Sequence, residues 1–190
     1  MNTTTFLNYY PFHFYPDVLP EDEVARHFVR RFKEGNVSAV VTAAAILNTR
    51  LRAIYKEEEL KKLTFFPLPA SSPERHRMRY WDFAEYLCAI TGMQNGYDLL
   101  KVTHTHEPLH ETRVQEEPNE LRDVNYEVTE ALHGRRAVIF DDVLTTGHSL
   151  NTFADELTIN GAHIERAFAL AKTIGDPMKS ARDYFKNRQN

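Results

Sequence analysis

The sequence predicts an α/β fold, because two segments repeat the order strand, loop and amphipathic helix. In the first segment, the apolar run 63–68 is followed by a proline-rich loop and a helical stripe that ends at Gly92. In the second, the run 137–140 is followed by small polar residues and a stripe that ends at Gly161. A chain of 190 residues can bury a core of its own, and we expect one domain over 1–190.

The composition excludes several classes of protein. A net charge of −4 and a pI of about 6.1 give no general attraction to nucleic acid, which we do not expect as a partner. The single cysteine, Cys88, excludes an internal disulfide and a cysteine-built zinc site, as suits a reducing cytoplasm. The sequence shows neither a signal-peptide pattern nor an apolar run long enough to span a bilayer. We therefore expect a cytoplasmic protein without a membrane partner.

The first third of the chain predicts two helices after an irregular segment. Residues 1–19 are rich in Tyr, Phe and Pro, and we expect this aromatic segment to lie on the domain surface or to form a homodimer contact. Pro20 opens a helix that stops at Gly35. A second helix is predicted from Ser38, with apolar residues at spacings of three and four: Val40, Ala44, Leu47, Leu51 and Ile54.

A basic cluster follows the strand predicted over 63–68. The segment 69–73 must be a loop, because its prolines cannot continue a hydrogen-bonded ladder. Arg75, Arg77 and Arg79 come directly afterwards, before the next amphipathic helix. A second phosphate-sized site could lie here, although a solvated basic loop is the alternative.

The segment 97–102 predicts a third strand, and 103–122 is polar, charged and almost without apolar periodicity. We expect 103–122 to form a mobile lid loop, since loops of this length are usually functional or disordered. Its histidines and glutamates could suggest a metal site, but an exposed lid is favoured, and we assign no metal ligand: His104, His106, His110, Glu107 and Glu111. A short strand at 126–128, a last buried strand over 164–171 and a solvated tail over 175–190 complete the prediction.

The most informative stretch is 137–150, in which the predicted strand stops at Asp141 and Asp142. A loop of small polar residues and a helix N-terminus follow, and together they present N–H groups, hydroxyls and a positive dipole end to an anion. Two acids beside a phosphate site need a separate reason. Hydrogen bonds from a ribose diol, made directly or through a bound cation, would supply one.

The segment 138–150 resembles the phosphoribosyl-pyrophosphate (PRPP) signature of type I phosphoribosyltransferases. That signature is an apolar strand, two acids, two spacers, Thr-Thr-Gly, one variable residue and Ser or Thr, and every defining position is matched. Over about 25–172 the chain resembles the ComF-type branch, associated with competence and DNA uptake, without its N-terminal zinc module; Tyr80 replaces the glycine expected after Arg79. The similar positions are 32–35, 66–69, Arg75, Arg79, Tyr80, Phe83, Arg122 and Asn125.

The resemblance implies a type I phosphoribosyltransferase-like parallel sheet with helices on both faces and the ligand at the carboxyl ends of the strands. Asp141 and Asp142 would hold the ribose hydroxyls of PRPP. The 5′-phosphate would lie in the loop formed by Thr145, Thr146, Gly147, His148 and Ser149. Pyrophosphate would be bound by Ala70, Ser71, Arg75 and Arg79, at a position where the family often has a non-proline cis peptide.

The same resemblance implies catalytic roles for Asp141, Asp142, Arg79 and Lys101, with Mg²⁺ as the cofactor. Lys101 and Arg122, at the two ends of the lid, could reach the diphosphate. The expected reaction transfers the 5-phosphoribosyl group between PRPP and an unidentified base or amine, with release of pyrophosphate. The alternative is a non-catalytic regulator that binds PRPP or a nucleotide, or a ComF-like accessory protein of DNA uptake.

Overall fold

A five-stranded parallel sheet forms the centre of the molecule, in a computed structural model that describes residues 2–9, 20–103, 126–130 and 132–174. The strand order is β1-β7-β6-β2-β3, and every neighbouring pair is parallel. The predicted α/β class and its parallel sheet are therefore confirmed. The strands are β1 (Thr3–Tyr9), β2 (Leu63–Pro67), β3 (Gln94–Asn95), β6 (Arg136–Leu144) and β7 (His163–Thr173), and a separate antiparallel pair joins β4 (Leu100–Val102) to β5 (Tyr126–Val128).

Helices pack on both faces of the sheet. Successive side chains of a strand point to opposite faces, and in the central strands the side chains on both faces are apolar. In β6, Val138 and Phe140 belong to a core cluster shared with α1, α2 and α4, whereas Ala137 and Ile139 belong to a second cluster beneath α5. The predicted helices on both faces are thus present. Their bounds are α1 (Pro20–Lys33), α2 (Val37–Ile54), α3 (Glu57–Leu60), α4 (Pro73–Thr91) and α5 (His148–Ile159).

Local signals explain where the helices begin and end. The side chain of Asn36 accepts a hydrogen bond from the Ala39 N–H, so α2 begins one residue earlier than the predicted Ser38. Gly35 has a φ of 68° and ends the turn between α1 and α2, where a left-handed conformation favours glycine. Gly92, with a φ of 80°, ends α4 as predicted.

The prediction of an irregular segment over residues 1–19 is wrong for its first part. Thr3–Tyr9 is β1, an edge strand that pairs with β7, and Phe6 stacks on Phe168 with ring centroids 6.2 Å apart. Three consecutive threonines, Thr3–Thr5, give the first part of this strand no apolar periodicity, although threonine and aromatic residues both suit a half-buried strand. Residues 10–19 lie outside the described part of the chain.

The predicted third strand over 97–102 is also corrected. Tyr97–Leu99 forms a short 3-10 helix, and only Leu100–Val102 is extended, in the separate pair with β5. The place beside β2 is taken by Gln94–Asn95. The chain turns away at Gly96, where a Cβ would lie 2.6 Å from the Phe66 ring, so only glycine allows this close approach.

The remaining sequence predictions divide between confirmed strands and undescribed segments. The strands at 126–128 and 164–171 are present within β5 and β7. The lid beyond Thr103, with its histidines and Arg122, and the tail over 175–190 lie outside the described residues. Among the described helices, α2 alone has the length and apolar composition to cross a membrane, a test that core helices also pass. Its buried residues belong to the core beneath α1 and α4.

Candidate functional site

The two predicted loops leave the sheet at the same edge, because β2 and β6 are parallel neighbours. The last residue of β2, Pro67, pairs with Phe140, and the Leu68 N–H still donates a hydrogen bond of 2.7 Å to the Phe140 carbonyl. From this point β2 leads into the loop before α4, while β6 continues towards the loop before α5. The carboxyl edge of the sheet therefore brings both loops together.

The two acids lie within β6 and not after it, so the expectation that the strand stops at Phe140 is wrong. The ladder between β6 and β7 continues through Asp141 and Val143 to Leu144, which is paired with Lys172. β2 ends opposite Phe140, so β6 extends four residues further than this neighbouring strand. The acids consequently stand at a step in the sheet edge, where side chains from the helices can approach them.

Asp142 is buried, and cationic side chains from two helices contact its carboxylate. Arg79 Nη1 lies 2.5 Å from Oδ2, and Lys33 Nζ lies 3.4 Å from Oδ1. The hydroxyl of Tyr80 donates a long hydrogen bond of 3.4 Å to Oδ2. Burial, followed by the charge of Asp142, raises the pKa of Tyr80 well above its ordinary value, so this hydroxyl keeps its proton. Asp142 is thus compensated by the protein itself.

Asp141 has a different environment although it is the next residue. It is half-buried, and its Oδ1 accepts a hydrogen bond of 2.7 Å from the Asp142 N–H. Burial, followed by the adjacent carboxylate of Asp142, raises the pKa of Asp141, while the charges of Lys33 and Arg79 act in the opposite direction. A hydroxyl donor or a cation brought by a ligand would stabilise its ionised form.

The loop between β6 and α5 has the form expected of an anion site. Gly147 has a φ of 83° and is the N-cap of α5, and the Thr146 hydroxyl oxygen accepts a hydrogen bond of 3.3 Å from the His148 N–H. Thr145, Thr146, His148 and Ser149 are exposed. The first turn of α5 contains no acidic residue, so its positive dipole end is not opposed locally.

The basic residues after β2 lie on α4, not on a loop as expected. Ser72 caps this helix by accepting a hydrogen bond from the Arg75 N–H, and Pro73 occupies its first turn. The Arg75 guanidinium donates a hydrogen bond of 3.0 Å to the Ser71 hydroxyl. The Arg77 guanidinium lies 4.9 Å from the centre of the Trp81 ring. Of the three arginines, Arg79 is therefore the one that reaches the acids.

His76 is buried and holds the loop before α4 through a hydrogen bond. The Ala70 N–H donates a hydrogen bond of 3.3 Å to His76 Nδ1, and the imidazole stacks on Tyr97 with ring centroids 4.7 Å apart. Burial, followed by the charge of Arg79, lowers the pKa of His76 to about 4. Every peptide bond in the described residues is trans, including those of this loop.

Sequence reasoning missed three residues of this site: Lys33, His76 and Tyr80. Lys33 precedes Gly35 at the end of α1, and its position before a helix stop gave no sign of a long-range partner. Lys101, which was predicted, is exposed on β4, outside the main sheet. The described residues contain no group of three His, Cys, Asp or Glu side chains that could hold a metal ion.

A cavity of about 530 Å³ opens elsewhere, between α1 and α2, and its lining does not include the acids or either loop. We therefore place the candidate site at the sheet edge, where the charged groups converge. No model of a known protein family matches the chain, and no curated protein is significantly similar to it.

Proposed function

We propose that this protein is a type I phosphoribosyltransferase with the corresponding fold. It would transfer the 5-phosphoribosyl group between PRPP and an unidentified base or amine, with release of pyrophosphate. The observation that carries the proposal is the meeting of two loops at one sheet edge. Arg79, in the second turn of the helix that follows β2, contacts Asp142 near the end of β6, and β6 leads directly into the loop before α5.

The loop after β6 fits the sugar-phosphate half of PRPP. The exposed hydroxyls of Thr145, Thr146 and Ser149 and the N-terminus of α5 can donate hydrogen bonds to the 5′-phosphate. Asp141 and Asp142, which lie just before this loop, would accept hydrogen bonds from the ribose hydroxyls. Gly147 and His148 would contribute backbone N–H groups.

The start of α4 fits the diphosphate half. Arg75 and Arg79 carry the positive charge, and the loop residues Ala70 and Ser71 lie between them and the end of β2. The proposal assigns Lys101 and Arg122 to the same diphosphate when the lid closes. A lid that excludes water would protect the activated sugar from hydrolysis.

The reaction breaks the bond between C1 of the ribose and the diphosphate oxygen and forms a bond from C1 to a nitrogen of the acceptor, which loses a proton. Positive charge develops on the sugar, as in glycoside hydrolysis, and negative charge on the leaving diphosphate. The arginines stabilise that negative charge, and one such donor is typically worth about 3 kcal/mol.

The donor set suits Mg²⁺ held mainly by the substrate. Mg²⁺ is usually bound through one or two carboxylates together with substrate phosphates, and Asp141 is the acid whose environment fits that role. When bound, Mg²⁺ would supply further charge stabilisation to the diphosphate. Thr145 stands where phosphoribosyltransferases for 6-oxopurines carry an acid, and a threonine is no base at neutral pH, so we disfavour those acceptors.

The contact between Arg79 and Asp142 also favours a second candidate. An arginine already engaged by a carboxylate has part of its charge compensated before any diphosphate binds. The protein could then be a regulator that binds PRPP or a nucleotide without turnover, or a ComF-like accessory protein of DNA uptake. Exposed arginines such as Arg75 favour the enzyme over this regulator.

Pyrophosphate release separates these candidates. The protein is incubated with PRPP, Mg²⁺ and a panel of bases and amines. We expect release that depends on one acceptor and is lost in Asp141→Asn, with Asp82→Asn, at an exposed position of α4, as the matched control. PRPP binding without release for any acceptor would support the regulator. A protein that does not bind PRPP would refute both.

A further inference from the structure

The two neighbouring acids differ in what already surrounds them. The Asp142 side chain is 5% exposed, and both of its oxygens have a charged partner from the protein. Asp141 is half-buried, and its carboxylate accepts a hydrogen bond from the next backbone N–H. A new ligand at Asp142 would have to compete with cations, whereas a ligand at Asp141 would not.

The partners of Asp142 come from two different helices. Lys33 is the last residue of α1, and Arg79 lies in the second turn of α4. The Asp142 carboxylate therefore joins both helices to β6 at the sheet edge. Arg79 and Lys33 have side chains that are 18% and 36% exposed, so each reaches solvent beside the acids.

We propose that the two acids divide the work of the PRPP site. Asp141 binds the ribose hydroxyls, whereas Asp142 is a positioning residue that holds Arg79 and Lys33 ready for the diphosphate. This inference rests on the proposed function and alters one part of it, since the resemblance assigned both acids to the ribose.

The physical reason is the cost of a buried charge. A buried carboxylate that loses its cations for neutral hydroxyl donors is left uncompensated, which is strongly unfavourable. Asp142 therefore keeps its cations when the sugar binds. Asp142 engages Arg79 through Nη1, and the Arg79 Nε is buried, so the remaining N–H groups at the end of the guanidinium are the ones that can bind a phosphate oxygen. Cations that are already in place lose less freedom when the diphosphate arrives.

Binding of two compounds distinguishes a residue that contacts the sugar from a residue that positions cations. Ribose 5-phosphate carries only the sugar-phosphate half, whereas PRPP also carries the diphosphate. We measure both affinities by calorimetry with Mg²⁺. For Asp142→Asn we expect PRPP to bind about tenfold more weakly, as for a lost charged hydrogen bond, while ribose 5-phosphate changes by less than about threefold. For Asp141→Asn we expect both ligands to weaken by the same factor.

Lys33 provides a second variant in case Asp142→Asn does not fold, because a half-exposed lysine is easier to replace. Lys33→Met should weaken PRPP and spare ribose 5-phosphate, and Lys33→Arg should restore PRPP binding. Because Asp142 acts through Lys33 and Arg79, the double variant of Asp142→Asn and Lys33→Met should bind PRPP as Asp142→Asn does. Lys62→Met, at an exposed lysine paired with Glu59, is the control and should bind both ligands normally.

The outcomes separate this inference from the proposed function. Equal weakening of both ligands in Asp142→Asn, or normal PRPP binding in Lys33→Met, overturns the division of work and leaves the proposed function standing. A wild-type protein that binds neither ligand overturns the proposed function and this inference with it.

Discussion

His76 should make the stability of the protein depend on pH. Its Nδ1 can accept the Ala70 N–H only while the imidazole is neutral, and its ring is buried against Tyr97. Protonation would place a positive charge next to Arg79, without solvent to stabilise it. Burial, followed by the charge of Arg79, therefore lowers the pKa of His76 in the folded protein.

The size of the effect follows from proton linkage. The pKa of His76 falls from 6.5 to about 4 on folding, so between these values the unfolded chain binds more protons. The stabilisation is therefore fully present above pH 6.5 and is lost as the pH falls towards 4. Each pKa unit is worth about 1.4 kcal/mol, which gives a total of about 3 kcal/mol.

Urea unfolding at several pH values, followed by circular dichroism, measures this dependence. His76→Gln keeps an acceptor for the Ala70 N–H but does not titrate, so its free energy of unfolding should fall about 3 kcal/mol less than that of the wild type between about pH 7 and pH 4. His27→Gln, at an exposed position of α1, should behave as the wild type. Parallel profiles for wild type and His76→Gln would refute the reasoning.

Three further predictions concern stability and the loop before α5. Gly35→Ala should destabilise the protein more than Gly134→Ala does. Both glycines have a positive φ, which costs an alanine about 1–2 kcal/mol of strain, but only at Gly35 would the new Cβ collide with the carbonyl of Met78. Equal losses of Tm in the two variants would contradict this. Phe140→Ala should lower the free energy of unfolding by about 3–5 kcal/mol in urea, because the ring is fully buried between aromatic neighbours; a loss below about 1 kcal/mol would be inconsistent with that packing. Gly147→Ala, with a φ of 83° at the start of α5, should weaken ribose 5-phosphate binding in calorimetry, and unchanged affinity would count against a phosphate at this loop.

Elements whose signals are local could be predicted from the sequence. The two strand, loop and helix units around β2 and β6 combine a short apolar run, a loop of breakers and a helical stripe ended by glycine. Such signals act within a few residues. The first turns of α4, which carry the three arginines, were not predicted as helix, because Ser72, the N-cap, and Pro73 were interpreted as loop residues.

Elements whose partners are distant could not be predicted in the same way. Thr3 pairs with Ala167, so the strand β1 exists because the edge of β7 offers it hydrogen-bond partners. Leu100 pairs with Val128, which lies beyond the predicted lid in the sequence. Because of this pairing, Leu100–Val102 belongs to the separate antiparallel pair and not to the main sheet. Whether a strand lies at an edge, and to which sheet it belongs, depends on contacts between residues that are far apart in the sequence. The periodicity within one segment carries no information about such contacts.

The sequence by itself determined that two acids with a loop of small polar residues, and separately a basic segment, come at the ends of two predicted strands, because residue type and spacing are local properties. Only the tertiary structure decided that Asp142 lies buried between Lys33, Arg79 and Tyr80, while Asp141 remains open to a partner. The two acids are adjacent in sequence and identical in type. What separates them is the position of cations on α1 and α4, because the free energy of a carboxylate depends on its burial and on the charges around it.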